Sequence, residues 1–155
     1  MFLKLLVFCC ILKGLASISN LVNLTFPDGR TFSFDSSHNY LIVSKTGSQT
    51  LSLTRIRLYN IDVEIMDLVF TASSINPSNL AGCEMHQTNG DQACYTKDDN
   101  SDDNPLIIVD AGSAIFDTVK LYNYGTTAEE KNRLATAEVE YWISKTSFFM
   151  ISSPN

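Results

Sequence analysis

Apolar residues recur at every second position along much of the chain, the pattern of strands with one buried face. Leu24 and Phe26 alternate with polar neighbours, Pro27-Asp28-Gly29 supplies turn chemistry, and Phe32 and Phe34 alternate beyond it. Two such runs around a Gly-containing turn predict a β-hairpin. Tyr40 to Val43 is a short unbroken apolar run, with a turn expected at Thr46-Gly47. Leu51 and Leu53 alternate, and so do Ile56 and Leu58, but the phase slips between the two pairs. One extra residue near Thr54-Arg55, a β-bulge, accounts for that slip. Ile61, Val63 and Ile65 are expected to continue the alternation.

From Asn76 to Asn104 the pattern changes to Asn, Asp, Gly, Ser and Thr, which reads as long surface loops. Strands resume at Leu106 to Val109 and at Thr118 to Tyr122. Thr127 with Glu130 has the form of a capping box, so a turn or short helical turn is expected there. After it Ala135, Ala137, Val139, Tyr141 and Ile143 occupy alternate positions, the pattern of a half-buried strand. Many short strands joined by loops predict an all-β fold, an antiparallel β-sandwich.

Composition narrows the function. The chain has 155 residues, 45% hydrophobic and 18% charged, which suits one domain with one core. Its net charge is −6 and its 11 basic residues are scattered. That disfavours nucleic acid and anionic membrane surfaces as partners. Lys4, the apolar run Leu5 to Leu12 and the small residues around Gly14-Leu15-Ala16 predict a signal peptide over 1–16. That run is too short to span a bilayer, so no membrane span is expected. The remainder, 17–155, is expected to be one secreted, extracellular domain. Cys9 and Cys10 would leave with the signal peptide, and Cys83 and Cys94 would remain as a pair expected to form a disulfide. Asn23-Leu24-Thr25 is a glycosylation sequon, whereas Asn76-Pro77-Ser78 is blocked by its proline.

Leu106-Ile107-Ile108-Val109-Asp110-Ala111-Gly112 is similar to the W-x-x-V-D-L-G strand, and Val119-Lys120-Leu121-Tyr122-Asn123 to the strand after it, of the discoidin family, the coagulation-factor C-type and F-type lectin domains. Arg133-Leu134-Ala135-Thr136-Ala137-Glu138-Val139-Glu140-Tyr141 resembles R-L-x-G-A-x-V-x-Y, and Ala72-Ser73-Ser74 the opening A-x-A-S-S. Thus 69–143 resembles the family's opening half. Residues 24–62, notably Tyr40-Leu41-Ile42-Val43 and Gly47 to Tyr59, resemble its closing strands, which here come first. Two readings fit: one circularly permuted sandwich, or the end of one tandem domain joined to the start of the next.

The resemblance implies a jelly-roll, galactose-binding-like sandwich and a non-catalytic lectin with a glycan or glycoprotein partner. It places Asn89 and Asp91 at the family's calcium loop, calcium being the sole cofactor implied. Arg55 stands where many F-type lectins carry a calcium-holding Glu, and neither His38 nor His86 has the partners of the fucose motif. Sugar sites on sandwiches lie on loops, with an aromatic face for the pyranose and polar groups for its hydroxyls. Tyr95 and Tyr124 are the candidate faces, and His86 and Lys97 the candidate donors. The run Asp98 to Asn104 is rich in oxygen ligands but lacks the spacing of an EF-hand, and reads as a solvated acidic loop. The sequence has no Gly-x-Ser-x-Gly motif and its two histidines are far apart, so no catalytic constellation is expected. An adhesion or structural module without a sugar site, and a truncated fragment of a tandem-domain protein, are the alternative functions.

Overall fold

The computed structural model describes residues 23–47, 50–75, 94–96, 101–123, 127–128 and 137–142. Among them run strands β1 (Asn23–Thr25), β2 (Thr31–Ser33), β3 (Tyr40–Ser44), β4 (Ser52–Asn60), β5 (Val63–Glu64), β6 (Val69–Ala72), β7 (Cys94–Tyr95), β8 (Leu106–Asp110), β9 (Thr118–Asn123) and β10 (Glu138–Trp142). The fold is all-β, and every strand pairing among these residues is antiparallel.

One sheet has the order β10-β3-β8-β6. In the other, β4 is central, with β9 along one edge and β7 and β5 along the opposite edge. Leu41, Val43, Ile107, Val109 and Val139 from the first sheet pack with Leu53, Ile56, Leu58 and Val119 from the second. Two sheets sharing one apolar layer make a β-sandwich. β3 lies between β8 and β10, so strands from early and late in the chain are interleaved.

The central strands β3 and β8 of the first sheet are buried on both faces. Tyr40, Ile42 and Ile108 point away from the sandwich core and pack with Phe26, Leu24, Phe32 and Phe34 of the β1–β2 hairpin. The Phe32, Phe34 and Tyr40 rings meet edge-on, with centroids 4.9 to 5.9 Å apart. Such aromatic pairs add about 0.5–1.5 kcal/mol each beyond their buried area. This second layer explains why Tyr40 to Val43 and Leu106 to Val109 are unbroken apolar runs: both of their faces need apolar side chains.

The expected hairpin forms, with Gly29 at φ 83° closing its turn. The Asp28 carboxylate accepts from the Arg30 backbone N–H at 3.0 Å and from its Nε at 2.6 Å. The expected bulge also forms. Leu53 pairs with Asn123 but Arg55 pairs with Tyr122, leaving Thr54 as the extra residue. Its hydroxyl donates to the Tyr122 carbonyl at 3.0 Å. Ile56 and Leu58 thereby enter the core, and Arg55, Arg57 and Tyr59 take the outer face.

Two expectations are corrected. Ile61 does not continue a strand. Ile61 and Asp62 have φ 48° and 64°, and Asn60 pairs with Val63, so the chain reverses in a two-residue hairpin turn. The signal was absent because a β-branched residue is the wrong chemistry for that conformation. The turn persists because the Asp117 carboxylate accepts the Ile61 N–H at 2.9 Å, while the Asp117 N–H donates to the Tyr59 carbonyl at 2.9 Å. Secondly, the loop from Asn76 to Asn104 is not all solvated surface. It contains β7, and Thr96 and Asp102 within it are buried.

Candidate functional site

His86, Lys97, Tyr124, Asn89, Asp91 and Cys83 lie outside the described residues, as does the segment 1–16 read as a signal peptide. Cys94 and Tyr95 form β7, in register with Leu53 and Ser52. Thr96 anchors the chain after them: its hydroxyl oxygen accepts the Leu51 N–H at 2.9 Å, and its own N–H donates to the Leu51 carbonyl. Asn23 is exposed on β1, its Oδ1 accepting from the Ser33 hydroxyl at 2.6 Å. The attachment nitrogen of the sequon is not used in that bond.

The acidic run builds a cleft. Asp102 is 3% exposed, and its Oδ2 accepts from the hydroxyls of both Ser73 and Ser74 at 2.5 Å. The Ser73 hydroxyl oxygen accepts the Leu106 N–H at 2.9 Å, and the Ser73 N–H donates to the Leu106 carbonyl. The end of β6 thus holds the acidic loop against the start of β8. Arg30 fixes the other wall, its Nη2 donating to the carbonyls of Ala72 and Ser73 at 3.0 and 3.2 Å. Between the walls is a cleft of about 360 Å³ lined by Leu24, Phe26 and Leu106 and by Ser73, Asp102 and Asn104. No cation lies within ion-pair distance of Asp102 among the described residues. Among the described residues only hydroxyls donate to the buried Asp102 carboxyl, which favours further donors.

A second feature is the outer face of β4 and β9. Arg55 pairs across the strands with Tyr122, Arg57 with Lys120, and Tyr59 with Thr118. The Arg55 guanidinium lies 5.9 Å from the Tyr122 ring centre, and the Lys120 ammonium 4.5 Å from that of Tyr59. Arg57 donates to Glu64 on β5 at 3.3 Å. The Tyr59 hydroxyl, and secondarily Glu64, raises the Arg57 pKa.

A third is a histidine clasp. His38 Nδ1 lies 3.0 Å from both carboxylate oxygens of Asp110, and Nε2 lies 3.8 Å from Asp35. The hydrogen bond to Asp110 raises the His38 pKa. Asp110 also accepts the Gly112 N–H at 2.7 Å, so the clasp ties the turn after β2 to the end of β8. Asp35 is held below the usual carboxylate range by the hydroxyl and N–H of Ser37.

Among the described residues no cluster of three or more His, Cys, Asp or Glu is suited to a metal ion, and no helix is long and apolar enough to cross a membrane. No family model matches the chain, and no curated protein or solved structure is significantly similar to it.

Sequence reasoning named the acidic run but not the burial of Asp102, whose partners are 28 and 29 residues away. It noted Arg55 singly. Its partner Tyr122 was visible only as half of an alternation, since the β4–β9 pairing is non-local.

Proposed function

We propose that the protein is a secreted, non-catalytic carbohydrate-binding module of the discoidin type, taking a glycan or glycoprotein as partner. The cleft at Asp102 is the observation that carries this reading. Its volume of about 360 Å³ lies within the ~300–1,000 Å³ range of small-ligand sites. Its lining pairs an apolar floor, suited to the C–H face of a pyranose, with a carboxylate and an amide that accept from and donate to hydroxyls. His86, Tyr95 and Lys97, three of the residues assigned to the sugar site by type, shortly precede Asp102 in the sequence, and Tyr124 follows β9. The interleaving of β3 between β8 and β10 supports one permuted sandwich over two partial ones.

The test is a glycan array on the secreted, oxidised chain, first with calcium and then with EDTA. A defined sugar should bind, and Asp102→Asn should weaken it at least about tenfold, or ~1.4 kcal/mol. Loss in EDTA would show calcium dependence, the role the resemblance implies for Asn89 and Asp91. A folded sample that binds no sugar would sink the reading.

One observation favours a second reading, protein adhesion. Ile61, Val63, Met66 and Val69 are each 63–69% exposed along one short segment. Ile61 is also strained, and strain persists where function retains it. A protein partner recovered by pull-down, insensitive to sugars and lost on Ile61→Asn, would establish it.

A further inference from the structure

We infer that the outer face of β4 and β9 is a separate binding site for an anionic glycan segment, one carrying sulfate or carboxylate groups. The face presents Arg55, Arg57 and Lys120, interleaved with the rings of Tyr59 and Tyr122. Glu64 is the one carboxylate paired with these cations among the described residues. Asp62 and Asp117 sit at the hairpin end of the sheet, where Asp117 is engaged by the Ile61 N–H. Two positive charges therefore lack an ion-pair partner among the described residues, in a chain of net charge −6.

The arrangement is costly for the fold alone. Arg57 and Lys120 are directly opposed across the strands, and like charges so placed destabilise a sheet. The Nε atoms of Arg55 and Arg57 are buried and meet no acceptor among the described residues. Buried donors are usually satisfied, so such orphans ask for an explanation. An anionic group seated against the exposed ends of these side chains relieves the repulsion between them. The Thr54 bulge is what re-aims Arg55 onto this face, a use to which bulges beside functional sites are put.

The chemistry favours a glycan over other polyanions. Nucleic acid binding rests on many phosphate contacts, and attraction to an anionic bilayer takes clusters of about 4–8 cations. Three cations in an acidic chain suit a short footprint instead. The tyrosine rings beside them offer apolar faces to sugar C–H groups, as an acidic peptide would not require. Guanidinium forks match carboxylate and sulfate oxygens.

The test uses immobilised heparin as the sulfated probe, hyaluronan as the carboxylated one and dextran as the neutral one, on the full secreted chain. Heparin or hyaluronan should bind, weakening as salt rises, and dextran should not. The pair Arg57→Gln with Lys120→Gln should lower affinity at least about tenfold. Lys120 is exposed, so Lys120→Gln alone keeps the fold and should still lower affinity several-fold. Glu64→Gln, which removes the competing carboxylate, should raise affinity. A purely structural role for these side chains predicts no such gain. No binding to either acidic glycan, or binding unchanged in Lys120→Gln and in Glu64→Gln, would overturn the proposal. Equal competition by poly-glutamate or by phosphatidylserine vesicles would overturn the glycan assignment. Asp102→Asn should leave heparin binding intact, so failure here and failure of the cleft reading are separately visible.

Discussion

Replacing Ile61 by Asn should stabilise the protein, although it removes an aliphatic side chain. Ile61 occupies the left-handed region at φ 48°, and it is 69% exposed. For an L-residue that conformation costs roughly 1–2 kcal/mol, and β-branching places Ile among the poorest occupants. Asn tolerates it, and is favoured in the first central position of such hairpin turns. Little apolar burial is lost at so exposed a position, and the Ile61 N–H bond to Asp117 is a backbone bond that survives. The expected net gain is therefore about 1 kcal/mol, or ~2–4 °C in Tm for a chain of this size. Scanning calorimetry on Ile61→Asn and on the parent measures it. Asp117→Ala should act in the opposite sense by freeing the turn, and the two changes should be non-additive because they share one backbone segment. A Tm for Ile61→Asn equal to or below that of the parent would refute the strain argument.

Asp102→Ala leaves the Ser73 and Ser74 hydroxyls without their acceptor, and should cost about 1–3 kcal/mol by chemical denaturation. Asp102→Asn, which keeps the shape, should cost less in stability while still impairing sugar binding. His38 has a raised pKa in the folded state, so its clasp with Asp110 stabilises most below the ordinary His pKa, near 6.5, and is lost as pH rises through the folded value. Urea midpoints should therefore fall modestly from pH 5.5 to pH 8, and His38→Gln should reduce that difference; an unchanged pH profile in the variant would dismiss the clasp. Expression through a secretory pathway should add a glycan at Asn23, removed by glycosidase digestion and absent in Asn23→Gln; no mass shift would mean that the sequon is unused.

What the sequence made legible is what alternation encodes. Period two marked β4, β9 and β10, unbroken apolar runs marked β3 and β8, and the slip between Leu53 and Ile56 located the bulge at Thr54. The Pro27-Asp28-Gly29 turn was readable because its residues suit its geometry. The Ile61–Asp62 turn was not, because tertiary bonds from Asp117 hold a residue there against its own preference. The β6 strand carried too little alternation to be separated from the loop after it. Both sites depend on pairings distant in sequence. Asp102 looked like solvated charge until Ser73 and Ser74 were brought to it. The basic face needed a further step. Beyond the slip, the polar set of β4 is Arg55, Arg57 and Tyr59, and that much follows from the phase alone. That Lys120 and Tyr122 complete the face follows only from the β4–β9 register, since alternation tells which side of a strand a residue takes but not which strand lies beside it. A single bulged residue thus decides whether two arginines enter the core or form a surface. The aromatic and cationic partners that make that surface a site come from a strand some sixty residues on, shown by Arg57 opposite Lys120.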